Sequence, residues 1–127
     1  MQLLLLLLRF WKPLGIGLFI VILCLIPSDN LQKIDPKIGY EDLIIHLLMF
    51  IGLSVFLYRD LRSYSKFAPQ VARITFITIG VCIMLGITTE LLQFLLTGLN
   101  RSGSFVDLFF DMAGSTTGVG IIRFIKR

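Results

Sequence analysis

Two aspartates near the front of the last hydrophobic run are the residues best suited to chemistry in this chain. Asp107 and Asp111 are four residues apart, so a helix over this run presents both carboxylates on one face. Gly114 and Gly118 continue the spacing and predict a small-residue face for close helix packing, and we interpret Gly120 as a further packing residue. Because a carboxylate in an apolar helix costs free energy in lipid, we take the two acids as candidate site residues.

Two other hydrophobic runs carry polar pairs at helical spacing. Asp42 and His46 are four residues apart, Glu90 and Gln93 are three apart, and each pair therefore shares one helix face. Imidazole and carboxylate groups are suited to general acid–base catalysis and to binding hard cations. A divalent cation such as Mg²⁺ or Mn²⁺ is the one cofactor that these groups would suit, with ligands from His46, Glu90, Asp107 and Asp111.

The composition indicates an integral membrane protein. The chain has 127 residues, of which 56% are hydrophobic, whereas a soluble domain contains about 45–50%. This length predicts a single domain over residues 1–127. Cys24 and Cys82 lie in separate apolar runs without CxxC or metal-ligand spacing, so we read them as core residues and expect no disulfide.

Four hydrophobic runs predict an all-α bundle of four transmembrane helices. We expect spans at about 11–26, 40–58, 70–96 and 105–125. The leucines of residues 1–8 precede the charges, unlike those of a secretory signal, and should lie at the interface or extend the first span. Residues 59–66 should form a basic loop.

The distribution of basic residues predicts the orientation of the bundle. Four spans put both termini on one side, together with the loop between the second and third spans. That side holds nine basic residues, which are Arg9, Lys12, Arg59, Arg62, Lys66, Arg73, Arg123, Lys126 and Arg127. The other side holds Lys33, Lys37 and Arg101. The positive-inside rule therefore places both termini in the cytoplasm, and because the net charge of +4 is explained by topology, no nucleic-acid partner is expected.

This orientation brings the polar pairs of three helices to one depth. The second and fourth spans run inward and the third runs outward, so all three pairs fall in the outer third of the membrane. We expect them to face one another around a polar pocket open to the outer surface. Arg101 would lie just above this pocket, either as a clamp for an anion or as a solvated loop charge.

Each candidate also has a purely structural interpretation. Asp42 lies in a first turn, where the helix dipole favours acids, and Asp107 lies where a capping box would place it. His46 would serve as an interhelical hydrogen-bonding residue. Glu90 and Gln93 would join neighbouring helices, as polar residues in spans often do.

These motifs resemble the VanZ-like family of small bacterial membrane proteins. The family shows Asp-Lys-x-x-His, then Glu-x-x-Gln, then Arg followed by Asp-x-x-x-Asn-x-x-Gly-x-x-x-Gly. The match covers about residues 40–120, with Leu43 in place of the usual lysine and Asp111 in place of the usual asparagine. The residues that fit the pattern are Asp42, His46, Glu90, Gln93, Arg101, Asp107, Gly114 and Gly118.

The resemblance implies a multi-pass protein of the bacterial cytoplasmic membrane. The family is named for an accessory protein of glycopeptide resistance clusters that is linked to teicoplanin resistance. The first hypothesis is therefore a cell-envelope protein whose outward-facing pocket binds the head group of a lipid, a lipid-linked envelope molecule or a glycopeptide-type drug. The sequence carries no signal for the oligomeric state.

Two other functions are compatible with the same residues. One is an intramembrane hydrolase or transferase acting on a lipid phosphate or ester, with His46 and Glu90 as acid and base and the aspartates orienting them or holding a metal. The other is a small transporter or flippase, although polar groups confined to one leaflet disfavour a continuous path across the membrane.

Overall fold

The computed structural model describes residues 1–25, 38–64, 70–96 and 105–125, except for the side chains of residues 38–42. The secondary-structure elements in these ranges are α-helices. Apolar runs form helices in lipid because only a helix satisfies its backbone polar groups within the segment. Serine and threonine hydroxyls add bonds to their own helix, as Thr78 does to the carbonyl of Ile74. The helices are α1 (Gln2–Arg9), α2 (Trp11–Leu25), α3 (Ile38–Tyr64), α4 (Val71–Leu95) and α5 (Phe105–Ile125).

Three of these helices are long and apolar enough to cross a membrane, namely α3 over Leu43–Tyr64, α4 and α5. Helix α2 has 15 residues and passes the same test only together with α1, from which it is bent by 71°. The described part of the chain thus has three candidate spans, or four if the bent pair forms one. Helices α4 and α5 cover the residues expected for the third and fourth spans.

The prediction of a basic loop over residues 59–66 is wrong for its first part, residues 59–64. Helix α3 continues through Arg59 to Tyr64, and residues 65–69 lie outside the described residues. The physical reason is local. Residues 59–64 contain no glycine or proline, and their arginine and leucine side chains are good helix formers, so polarity alone does not end the helix.

Pro13 explains why the N-terminal leucines form a separate helix. A proline ring clashes with the carbonyl four residues earlier and donates no hydrogen bond, and that carbonyl belongs to Arg9, the last residue of α1. Pro13 itself lies in the first turn of α2, where proline is tolerated. The chain therefore bends at Phe10, although the Phe10 amide still donates to the carbonyl of Leu6.

The bend between α1 and α2 is bonded to the C-terminal end of α3. The Arg9 guanidinium donates to the backbone carbonyl of Ser63 at 2.8 Å and to its hydroxyl at 3.2 Å. The same guanidinium lies over the Tyr64 ring, which also packs edge-on against Phe10. The start of α2 and the end of α3 are therefore neighbours, so these two helices run in opposite directions.

Helices α3 and α5 share the most extensive contact and run in the same direction. A Cβ atom at Gly114 would lie 2.5 Å from the Leu47 carbonyl oxygen, and one at Gly118 would lie 2.6 Å from that of Ile51. The two glycines expected to pack thus face the backbone of α3. Gly120 was also expected to be a packing residue, but a Cβ there would meet nothing within 4 Å among the described residues.

The interior is divided into layers along the bundle. One apolar cluster lies near the middle and a second lies towards the basic end, where α3 and α5 finish. The first contains Ile20, Cys24, Phe50, Leu53 and Cys82. The second contains Tyr58, Ile74, Val119 and Ile122. The candidate site residues come from the opposite end.

Candidate functional site

The centre of the site is a buried pair formed by His46 of α3 and Asp111 of α5. His46 Nδ1 lies 2.9 Å from Asp111 Oδ1, and the side chains are 2% and 1% exposed. Because an ionised carboxylate accepts hydrogen bonds, Nδ1 is the donor. The close approach that Gly114 allows, one turn further along α5, brings the two helices near enough for this contact.

Gly86 of α4 completes the wall around the Asp111 carboxylate. A Cβ at Gly86 would lie 3.1 Å from Asp111 Oδ2 and 3.2 Å from a methyl group of Leu108, so the missing side chain gives the carboxylate its room. The hydroxyl of Thr89 donates to the Gly86 carbonyl. Sequence reasoning missed Gly86, because a lone glycine within a long apolar run carries no signal of what it faces.

Gln93 attaches the end of α2 to the site. Its Nε2 donates to the backbone carbonyl of Cys24 at 2.9 Å, and the side chain is 3% exposed. The last carbonyls of a helix lack partners within it, and Cys24 is the penultimate residue of α2. Gln93 therefore caps α2, which is the bridging role that the structural interpretation assigned to it.

Cys24 also contributes to the surroundings of the histidine. Its side chain lies within hydrogen-bonding reach of the His46 ring and is 1% exposed. The sequence predicted a core residue, and the residue is buried, but its position beside the imidazole was not foreseen. Its contact with His46 needs the register between α2 and α3, which residue spacing does not supply.

Glu90 and Asp107 lie one helical turn from this centre, towards the same end of the bundle. Asp107 precedes Asp111 by four residues on α5, and Glu90 follows Gly86 by four on α4, so each lies above its neighbour. Both side chains are half-buried. The structure thus brings the expected residues of three helices to one end, with His46 and Asp111 innermost.

Two predicted site residues lie outside this description. The backbone of Asp42 is part of α3, but its side chain is not among the described residues, and Arg101 is not among them at all. Within the described part, no three His, Cys, Asp or Glu side chains form a group that could hold a metal ion. The divalent cation therefore stays a prediction without support from these residues.

Comparison with known proteins identifies one family. The family model described as VanZ/LLP1 matches residues 4–126, which is nearly the whole chain. Searches of curated proteins and of solved structures give no match. The matched region includes the buried pair of His46 and Asp111, the capping residue Gln93 and the glycine face of α5. The chain belongs to the VanZ/LLP1 family.

Proposed function

We propose that this protein is a bacterial cell-envelope membrane protein whose polar end binds a head group at the outer leaflet of the cytoplasmic membrane. The observation that carries the proposal is the buried bond between His46 and Asp111. Ionisable residues placed inside a helical bundle are costly and commonly mark a functional site. Their position at the end opposite the basic residues fits a site on the outer side.

The half-buried acids provide the contact with a ligand in this proposal. Glu90 and Asp107 lie a turn above the central pair and are partly accessible, so their carboxylates would accept hydrogen bonds from hydroxyl, amide or ammonium groups. His46 and Asp111 hold α3 and α5 together below them. Arg101 is the residue proposed to meet a phosphate or carboxylate. The ligand class is therefore a lipid or lipid-linked envelope molecule, or a glycopeptide such as teicoplanin.

Resistance assays in a susceptible bacterium test this proposal. Expression of the chain should raise the inhibitory concentration of teicoplanin, and Glu90→Ala or Asp107→Ala should abolish the increase. Thr88→Ala is the matched control, because Thr88 is exposed on the same helix as Glu90 and its hydroxyl donates to its own helix, at the Met84 carbonyl. If both acid variants protect as well as the wild type at equal membrane abundance, the acids do not form the site.

The geometry of the histidine favours one second candidate, an intramembrane hydrolase or transferase. A carboxylate bonded to Nδ1 fixes the imidazole and leaves Nε2 as the basic nitrogen of the neutral ring, which is the arrangement of a general base. Purified protein in vesicles of phosphatidylglycerol would then release a soluble head-group product. His46→Ala should stop the release, whereas a pure binding protein releases nothing in either form.

A further inference from the structure

A groove lies at the basic end of the bundle, far from the His46–Asp111 pair. It has a volume of about 470 Å³ and is lined by Trp11, Lys12, Gly15, Ile16 and Phe56. The first four belong to α2 at positions i, i+1, i+4 and i+5, so they share one helix face, and Phe56 belongs to α3. The groove is thus a gap between two helices, and this gap opens to the surrounding lipid.

The floor of the groove is apolar and unobstructed. A Cβ at Gly15 would meet no atom of the described residues within 4 Å, so the glycine leaves space that a larger side chain would occupy. Ile16 and Phe56 supply apolar walls, and Trp11, which also lines the groove, is 63% exposed. A surface of this kind suits an acyl chain better than a polar solute.

Two cationic side chains lie over the aromatic rings that line the groove. Lys12 Nζ lies 5.7 Å from the Trp11 ring centroid, and Arg59 Cζ lies 5.9 Å from that of Phe56. Neither cation has a carboxylate within salt-bridge distance among residues 1–25, 43–64, 70–96 and 105–125. The nearby Arg9 is different, because the Ser63 carbonyl and hydroxyl already accept its hydrogen bonds.

We propose that this groove binds one anionic phospholipid from the leaflet at the basic end. Lys12 and Arg59 would hold its phosphate, and one acyl chain would lie along Gly15 and Ile16. Charge complementarity selects this occupant, since basic pockets between transmembrane helices attract anionic head groups. The proposal concerns the opposite end of the bundle and does not depend on the head-group site at the polar end.

Trp11 provides the test, because it is the single tryptophan of the chain and it lines the groove. The full-length protein is reconstituted in phosphatidylcholine vesicles that contain a fixed fraction of either brominated phosphatidylglycerol or brominated phosphatidylcholine. Bromine on the acyl chain quenches tryptophan fluorescence at contact. We expect the apparent affinity for the anionic lipid to exceed that for the neutral lipid by roughly thirtyfold, which is the factor that two basic residues at a membrane surface provide.

Three variants separate a built site from general surface charge. Lys12→Gln combined with Arg59→Gln should abolish the preference for the anionic lipid. Arg123→Gln removes an exposed cation of α5 that lies at the same end of the bundle as the groove, and it should leave the preference unchanged. Gly15→Leu should weaken quenching by the anionic lipid without disturbing the fold, because the added side chain enters open space. Circular dichroism checks that each variant is folded.

Several outcomes would overturn this inference. Equal quenching by the two lipids would show that the groove does not select charge. If the preference for the anionic lipid survives the double substitution, or if Arg123→Gln abolishes it equally, the preference comes from the general surface potential and not from the groove. A Trp11 that neither lipid quenches, together with cross-linked dimers, would assign the groove to a second copy of the chain. Displacement by added inorganic phosphate would show that the acyl chain contributes nothing.

Discussion

At the scale of single residues, His46 and Asp111 matter because they are bonded to each other although both side chains are almost completely buried. Removing one partner of a buried pair typically costs about 3–5 kcal/mol, whereas replacing both by apolar residues is often neutral or stabilising. The bond of 2.9 Å between them is therefore no argument that the fold requires ionisable groups. It supports a functional reason for keeping them, which agrees with the general cost of such residues in lipid.

Substitutions of Asp111 separate the hydrogen bond from the charge. Asp111→Asn keeps an acceptor for His46 Nδ1 and restores the residue usual in the family pattern, so its free energy of unfolding should lie within about 1 kcal/mol of the wild type. Asp111→Ala removes one partner of the buried pair and should cost about 3–5 kcal/mol. Unfolding in detergent, followed by circular dichroism, measures both. Equal losses in the two variants would mean that the carboxylate charge, rather than the bond, stabilises the bundle.

Gln93 offers a second test at this scale. Gln93→Leu removes the donor to the Cys24 carbonyl at the end of α2, and the loss of a neutral hydrogen bond should lower the free energy of unfolding by about 0.5–1.5 kcal/mol. The matched control is Gln70→Leu, since Gln70 is exposed and makes no side-chain capping bond. A control that destabilises as much as Gln93→Leu would show that the cap adds nothing.

Residue spacing predicted which site residues share a helix face but not which side chains meet across helices. The turn periodicity of α5 puts Asp107 and Asp111 on one face, yet only the rotation of α5 against α3 makes Asp111 the residue bonded to His46. Gln93 illustrates the same limit, because its acceptor is a backbone carbonyl of α2. Because every residue has a backbone carbonyl, the sequence does not indicate which carbonyl will accept the bond.

At the scale of helices, the glycine face of α5 decides how closely α3 approaches. Both glycines lie against backbone atoms of α3, which cannot move aside as a flexible side chain can. The spacing of these glycines predicted a packing face, because small residues repeated every four positions form a stripe along a helix. The partner helix could not be inferred, since a stripe of this kind fits any neighbour.

Gly118→Ala should therefore destabilise the bundle. The new Cβ would overlap Ser54 Oγ and approach the Ile51 carbonyl oxygen, and overpacking typically costs about 1–3 kcal/mol, which exceeds the gain of up to about 1 kcal/mol from alanine's helix propensity. Gly120→Ala on the same helix enters open space and should be neutral or stabilising. Thermal unfolding of the two variants gives the comparison. Similar melting temperatures would contradict tight packing at Gly118.

The N-terminal region shows a different limit of sequence reasoning at this scale. The leucine run was expected either at the interface or as part of the first span, and the structure gives it a helix of its own, joined to α2 at a bend of 71°. The cause is visible in the sequence, because Pro13 stands four residues after Arg9. Hydropathy does not register it, since proline acts through its ring and its missing amide hydrogen, neither of which a hydropathy value records.

At the scale of the whole molecule, the bundle has two chemically different ends. One holds the buried pair with Gln93, Glu90 and Asp107, and the other holds the cations that surround the bend and the groove. Two apolar clusters separate the ends. Because the helices that carry the two sets alternate in direction, each end brings together residues that are far apart in sequence. Hydropathy predicted the long apolar helices α3, α4 and α5, but it predicted none of the contacts between them.

The orientation of the two ends across the membrane is the prediction on which the outward-facing site depends. The positive-inside rule puts the basic end in the cytoplasm, so a cysteine replacing Ser102 should react with a membrane-impermeant maleimide in intact spheroplasts. A cysteine replacing the exposed Gln70, which directly precedes α4, should react only after permeabilisation. The unsubstituted chain is the control, since Cys24 and Cys82 are both buried and should remain unlabelled. The reverse pattern would place the His46–Asp111 end on the cytoplasmic side, and a head-group site facing the outer leaflet would then be impossible.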